Sequence, residues 1–140
     1  MDTKQAVVRH VKGLTFVGKA TSNHWVAIDS STNSEESPAA ASPIELVLLA
    51  LGSCTASDVV YVLQKKRLRF HGLEVHLTGE RRDEHPRVYT KIHLEFVFHG
   101  DGLPQKDLEQ AIELSQTKYC PVSAMIGKGT EITYTYKVTS

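Results

Sequence analysis

The residues of this chain with the most distinctive chemistry are its two cysteines, Cys54 and Cys120. Cys54 ends the apolar stretch Ser42–Cys54, and Cys120 stands before Pro121, a residue suited to the first position of a helix. A buried free cysteine is usually an inert small hydrophobe. A pair of thiols can instead reduce a peroxide, because one thiolate attacks the O–O bond and a second thiol resolves the sulfenic acid to a disulfide. The two cysteines are therefore either a redox pair or two core residues.

The reactivity of each cysteine depends on what stabilises its thiolate. Cys120, at the start of the helix predicted from Pro121, has unpaired backbone N–H groups and the positive end of a helix dipole beside it. Cys54 falls in the middle of its own predicted helix, so its thiolate requires a cation from elsewhere. The apolar surroundings favour an organic hydroperoxide over hydrogen peroxide as the oxidant.

The segment that carries Cys54 is predicted to be the principal helix. Ser42 is a good N-cap, Pro43 suits the first helical position, and Glu45 completes a capping box, so the helix should run from Pro43 to about Lys66. Its first half is apolar on all sides except at Glu45, which predicts burial within a sheet or against a partner chain. Gly52 costs about 1 kcal/mol of helix propensity relative to Ala. Its position indicates close packing of another chain segment or of a ligand.

The elements around this helix follow from alternation and turn residues. The N-terminal third predicts three short strands, and the polar stretch Asp29–Pro38 predicts a surface loop. After the principal helix we predict strands over Leu73–Glu80 and Arg87–Phe98, an amphipathic helix over Lys106–Lys118, a short helix over Pro121–Ile126 and a closing strand over Glu131–Val138. This order predicts an α+β fold with a largely antiparallel sheet, in a single domain over residues 1–140.

Composition limits the kinds of partner. The chain has 140 residues, 41% of them apolar, and its 16 Lys and Arg balance 16 Asp and Glu. A net charge of zero argues against nucleic acid or an anionic membrane as a partner. The sequence starts without a signal-peptide pattern, and its longest apolar run, Ile44–Leu51, is too short to span a bilayer. We therefore expect a cytoplasmic protein, in which paired cysteines are catalytic, redox-sensing or idle but not a structural disulfide.

The cysteine motifs carry a family resemblance. The helix segment Ser42–Val60, followed by Tyr119–Ser123, resembles the OsmC/Ohr family of thiol-dependent peroxidases, named after osmotically inducible protein C and organic hydroperoxide resistance protein. The resemblance extends over nearly the whole chain. The stretches Gly79–Arg87 and Ile132–Tyr136 resemble the YhfA-like branch of that family most. The resemblance implies an intertwined homodimer, in which antiparallel sheets wrap the long central cysteine-bearing helices and both active sites lie near the subunit interface.

The resemblance also implies roles for individual residues. Cys54 would be the peroxidatic thiol, Cys120 the resolving thiol, and Glu45 the carboxylate that holds an activating arginine. The substrate would be an organic hydroperoxide and the reductant an external dithiol, without a cofactor or a metal. In active members the arginine comes from an early strand and turn, which here reads Gly18–Trp25 and contains no arginine. Lys19 and His24 are the cations available there, although neither has the planar fork of a guanidinium.

Two functions remain open at this point. The first is a peroxidase that cycles Cys54 and Cys120 between dithiol and disulfide. The second is a catalytically weak or inactive dimer of the same fold, which binds a small apolar ligand in the interfacial pocket. The seven histidines are scattered without metal-ligand spacing, and no glycine-rich phosphate loop is present. The sequence therefore predicts no metal site and no nucleotide site.

Overall fold

The computed structural model describes residues 1–31 and 38–140, so most of the predicted loop Asp29–Pro38 lies outside the described residues. The elements are β1 (Ala6–Lys12), β2 (Thr15–Ala20), β3 (Val26–Asp29), α1 (Pro43–Lys65), β4 (Gly72–Arg81), β5 (Tyr89–His99), α2 (Gln105–Leu114), a π-helical turn (Ser115–Tyr119), α3 (Pro121–Ile126) and β6 (Glu131–Thr139). The predicted order of strands and helices is confirmed. The π-helical turn is an addition, since sequence alone predicts one continuous helix as far as Lys118.

The chain forms two compact units, Met1–Val47 and Leu48–Ser140. The first unit contains an antiparallel sheet in the order β1-β2-β3. Strand β2 continues to Ala20, into the stretch Gly18–Trp25 where the family resemblance expects an early strand and turn. The chain reverses at Asn23, whose backbone has a φ of 66° and whose N–H donates to the carbonyl of Ala20 at 2.9 Å. Asparagine tolerates this left-handed conformation better than most residues.

The second unit contains a three-stranded sheet in the order β4-β5-β6. Strands β4 and β5 pair antiparallel, in agreement with the largely antiparallel sheet predicted, whereas β6 pairs with β5 in parallel. The core residues of this unit come from β5, α2 and α1, and all are fully buried: Ile92, Leu94, Phe96, Phe98, Leu108, Ala111, Ile112, Leu51, Val59 and Leu63. The alternation of β5 and the apolar face of α2 supply the first seven, as the two periodicities predict. Packing against this core fixes the position of the part of α1 that carries Cys54.

Two glycines of the second unit allow side chains to pack closely. A Cβ on Gly52 would lie 2.6 Å from Cδ1 of Leu77 in β4, so packing explains this glycine and no ligand is required. A Cβ on Gly79 would lie 2.5 Å from Cε1 of the Tyr89 ring and 3.2 Å from Cδ2 of Leu48. Such separations are shorter than van der Waals contact, so these positions accept no larger residue without movement of their neighbours.

We expect Gly79→Ala to lower the free energy of unfolding by about 1–3 kcal/mol, the range for overpacking of a well-packed core. The rigid ring of Tyr89, only 7% exposed, cannot move aside without disturbing the sheet. Urea unfolding followed by circular dichroism measures the change. Gly129→Ala is the matched control, because a Cβ there meets no atom within 4 Å. Equal stability of the two variants would contradict this packing.

Helix α1 is covered only in part by the rest of its own chain. Leu49 and Tyr61 are each 58% exposed, although both are large apolar side chains. Among residues 1–31 and 38–140, α1 is the helix whose length and apolar composition would suffice to cross a bilayer, and 28% of that stretch is buried. The core helix of a soluble protein meets the same criterion. The sequence predicts that α1 is buried on all sides. In the single chain it is not, so that prediction requires a further contact that covers the exposed side of α1.

Candidate active site

The structure brings the two cysteines together. Cys54 on α1 is half-buried, Cys120 is 3% exposed, and both thiols are free. The two Sγ atoms and a carboxylate oxygen of Asp58 all lie within 4.8 Å of one another. The proximity of the sulfurs, which a redox pair requires, is thus present in the reduced protein. A small local movement would bring them to disulfide distance.

The position of Cys120 depends on how α2 ends. The π-helical turn Ser115–Tyr119 closes with the N–H of Cys120, which donates to the carbonyl of Ser115 at 2.9 Å. Cys120 is then the N-cap of α3, and its Sγ accepts a hydrogen bond from the N–H of Ser123 at 3.3 Å. Pro121 occupies the first turn, as the sequence predicts. Single π-helical turns are frequent at functional sites because they re-aim the residues that follow them.

Polar side chains around the sulfurs form a connected network. Ser115 Oγ donates to Asp58 Oδ2 at 2.9 Å, and Gln116 Nε2 donates to Thr55 Oγ1 at 3.3 Å. The Thr55 hydroxyl lies 3.6 Å from Cys120 Sγ. Thr55 and Ser115 are fully buried, so these bonds hold the side chains in defined orientations.

Sequence reasoning missed Asp58, Thr55 and Gln116. For Asp58 a signal was present, because residues four apart on a helix lie on the same face and Asp58 follows Cys54 by one turn. For Gln116 no local signal exists, since its contact with Thr55 joins two distant segments.

The two thiols have opposite pKa shifts. The pKa of Cys54 is raised to about 11, mainly by burial, with further contributions from the hydrogen bond with Cys120 and the negative charge of Asp58 that outweigh the lowering effect of the Val122 backbone. Burial also raises the pKa of Cys120, but hydrogen bonds from Ser123, Cys54 and Thr55 outweigh it, so the net pKa of Cys120 is lowered. Of the two thiols, Cys120 is therefore the one that ionises more readily. This agrees with the sequence prediction that α3 helps Cys120, whereas Cys54 needs a cation from elsewhere.

The remaining predicted site residues lie in the first unit. The capping box is confirmed, because Ser42 N donates to Glu45 Oε1 at 2.9 Å and Glu45 N donates to Ser42 Oγ at 3.2 Å. Lys19 Nζ donates to Asn23 Oδ1 at 3.0 Å and lies 4.9 Å from the centroid of the Trp25 ring. His24 is exposed. The part of Glu45, Lys19 or His24 in activating Cys54 stays a prediction.

An open groove follows the exposed side of α1. It has a volume of about 600 Å³ and its walls come from α1 and the start of β4, with these residues: Ser53, Ala56, Ser57, Val60, Tyr61, Gln64 and Leu73. A smaller groove of about 240 Å³ adjoins Ser53 and Ala56 and reaches Val75 and Leu77 of β4. A second chain or an apolar molecule that binds in these grooves would cover the exposed apolar side of α1.

Comparison with known proteins gives a consistent result. Residues 34–135 match the family model described as OsmC-like protein. The chain is 43% identical over 134 residues to Protein YhfA of Escherichia coli K12, and the match covers 96% of this chain and 97% of that protein.

Solved structures agree with the family match. A hypothetical protein from Aquifex aeolicus VF5 is 31% identical and superposes with a TM-score of 0.83 over 100% of both chains. An organic hydroperoxide resistance protein OsmC from Legionella pneumophila superposes with a TM-score of 0.71 over 99% of this chain and 98% of that one, at 16% identity. That last likeness shows a common fold. The family and fold predicted from the cysteine motifs are confirmed.

Proposed function

Because the chain belongs to the family of OsmC-like proteins, we propose that it is a thiol-dependent peroxidase that reduces organic hydroperoxides. The observation that carries the proposal is the pair of free thiols, Cys54 and Cys120, with sulfurs within 4.8 Å of each other. Two thiols at this separation can store the two electrons that a hydroperoxide takes up. The Legionella protein of the same fold is named for organic hydroperoxide resistance, which supports the substrate class.

The reaction begins with the proton that the two sulfurs share. The raised pKa of Cys54 and the lowered pKa of Cys120 favour the arrangement in which this proton lies on Cys54 and Cys120 carries the negative charge. Its transfer to Cys120 leaves the Cys54 thiolate, which attacks one oxygen of the hydroperoxide. The O–O bond breaks, the alkoxide takes the proton back from Cys120 and leaves as the alcohol, and Cys54 becomes a sulfenic acid.

The second half of the reaction closes the disulfide. The Cys120 thiolate attacks the sulfur of Cys54 and expels hydroxide, which solvent protonates to water. An external dithiol then returns two electrons and two protons and restores both thiols. Consumption of cumene hydroperoxide in the presence of a dithiol tests the proposal, with Cys54→Ser as the reference. No cofactor takes part in this cycle.

A cation near Cys54 would speed the first step, since it favours the thiolate of Cys54 over the thiol. Lys19 is the first candidate and His24 the second, with Glu45 orienting whichever approaches. Loss of reactivity at Cys54 in Lys19→Ala, without a change in stability, is the expected sign of this role.

The functional form in this proposal is a homodimer. The exposed Leu49 and Tyr61 and the groove along α1 need cover, and a second copy of α1 supplies it, as the family resemblance implies. In this proposal residues 1–140 form one domain, and two such chains form the dimer. A partner copy also closes the groove into the interfacial pocket where an apolar hydroperoxide binds.

We expect light scattering at micromolar concentration to give a species of two chains, each of 15.5 kDa. Leu49→Asp should shift it to a monomer or abolish folding, because a charge would be buried without a partner. Leu14→Asp is the control, since Leu14 has a similar exposure of 53%. A stable wild-type monomer would refute the dimer.

The competing function is a dimer that binds a small apolar ligand and has little or no catalytic activity. It is favoured by the raised pKa of Cys54, which slows a thiol attack, and by the groove of about 600 Å³ on α1. Hydroperoxide consumption that is slow and equal in the wild type and in Cys54→Ser would select this function.

A further inference from the structure

Asp58 is a third reactive group beside the two thiols, and the redox cycle does not use it. It lies one helical turn after Cys54, on the same face of α1, and is half-buried. One of its carboxylate oxygens lies within 4.8 Å of both Sγ atoms. The cluster thus presents two sulfur ligands and one oxygen ligand to a common point.

The orientation of this carboxylate is fixed from outside the cluster. The fully buried hydroxyl of Ser115 donates to Asp58 Oδ2 at 2.9 Å. A carboxylate can accept about four hydrogen bonds or other contacts on its two oxygens, so the bond from Ser115 leaves most of this capacity free. Cys120 is fixed in turn by the N–H of Ser123. Metal ligands in proteins are commonly oriented by outer hydrogen bonds of this kind.

The set of ligands and their spacing match a tetrahedral d¹⁰ cation. Zn²⁺ binds cysteine sulfur at about 2.3 Å and carboxylate oxygen at about 2.0–2.2 Å, so two sulfurs on one ion lie about 3.8 Å apart. The limit of 4.8 Å in this cluster is within about 1 Å of that separation. Thiolate ligands select soft or borderline cations over Mg²⁺ and Ca²⁺.

We propose that Cys54, Asp58 and Cys120 together bind one thiophilic divalent cation of the Zn²⁺ type, with the fourth position open to water. Each thiol that coordinates the ion releases its proton to solvent. A cation held by both sulfurs prevents them from forming a disulfide, so bound metal protects the pair from oxidation. The sequence pattern of histidines at metal-ligand spacing cannot predict this site, because the proposed ligands are two cysteines and an aspartate that come from α1 and from the N-cap of α3.

The simpler account is that Asp58 serves only as the acceptor for the Ser115 hydroxyl. An asparagine at this position would serve that purpose equally well, because its amide oxygen also accepts this bond. It would not serve a cation equally well, since the substitution replaces an anionic ligand by a neutral one. Asp58→Asn therefore separates the two accounts with little change in shape.

The experiment titrates reduced, metal-free protein with Cd²⁺, whose bonds to thiolate give a ligand-to-metal charge-transfer absorption in the ultraviolet. We expect one Cd²⁺ per chain by equilibrium dialysis, displaced by Zn²⁺, and no absorption in Cys54→Ser or Cys120→Ser at the same concentration. Asp58→Asn should weaken binding by about tenfold or more. Asp101→Asn, which removes an exposed carboxylate before α2, should leave the affinity unchanged.

Three results would overturn the proposal: no charge-transfer absorption in the wild type, equal affinity in Asp58→Asn and the wild type, or full Cd²⁺ stoichiometry in both serine variants. If Asp58→Asn fails to fold, the double variant Asp58→Ala with Ser115→Ala removes the carboxylate together with the hydroxyl it would leave unpaired, and the same loss of affinity is expected. No peroxide enters the measurement, so the outcome is independent of peroxidase activity.

Discussion

Replacement of Cys54 by serine is expected to lower the rate of cumene hydroperoxide consumption by about 10³-fold or more, because the variant lacks the attacking nucleophile. A serine hydroxyl stays protonated near neutral pH and does not cleave the O–O bond. The measurement is a peroxide-consumption assay with a dithiol reductant, wild type against variant. Asp101→Asn, an exposed substitution before α2, is the control for general effects of a surface substitution.

Cys120→Ser should behave differently from Cys54→Ser. It keeps the nucleophile but not the resolving thiol, so one equivalent of hydroperoxide should give a stable sulfenic acid on Cys54, which dimedone traps for mass spectrometry. Because Cys120 and not Cys54 has the lowered pKa, the experiment also tests the assignment of roles. A trapped sulfenic acid on Cys120 in the Cys54→Ser variant would reverse that assignment. Equal slow turnover in all three proteins would leave the ligand-binding function.

The alkylation rate of Cys54 by iodoacetamide is expected to rise about tenfold per pH unit from pH 7 towards its pKa of about 11. The sign follows from the thiolate being the reactive form, since a raised pKa leaves little thiolate at neutral pH. In Cys120→Ser the curve should move to lower pH, because the hydrogen bond and charge of Cys120 both raise the pKa of Cys54. At pH 8 the variant should therefore react faster than the wild type.

The outcome that contradicts the raised pKa, and that instead agrees with the activating cation proposed above, is a Cys54 that titrates below the pKa of an ordinary thiol in the wild type. That result would mean that a cation stabilises its thiolate in solution, and Lys19→Ala and His24→Ala would then show which residue supplies it. Mass spectrometry of the alkylated peptides separates Cys54 from Cys120. Asp101→Asn, remote in sequence from both cysteines, checks that the shift is local.

The elements of this protein could be predicted from its sequence because local interactions specify them. The capping box of Ser42 and Glu45 sets the start of α1, and a proline after Cys120 sets the start of α3. Alternating apolar residues specify β4 and β5, since successive side chains of a strand point to opposite faces. The motif around Cys54, with the second motif at Cys120, was sufficient to predict the family.

The site itself was decided by tertiary structure. The sulfurs of Cys54 and Cys120 meet because the π-helical turn Ser115–Tyr119 redirects the chain beside α1, and periodicity of 3.6 residues does not reveal that turn. Packing against Leu77 explains Gly52, and parallel pairing with β5 positions β6. The spacing of Asp58 from Cys54 is visible in the sequence, but its contact with Ser115 and its proximity to both sulfurs depend on how the helices pack. Contacts between residues far apart in the chain depend on how whole elements pack, and no local preference encodes them.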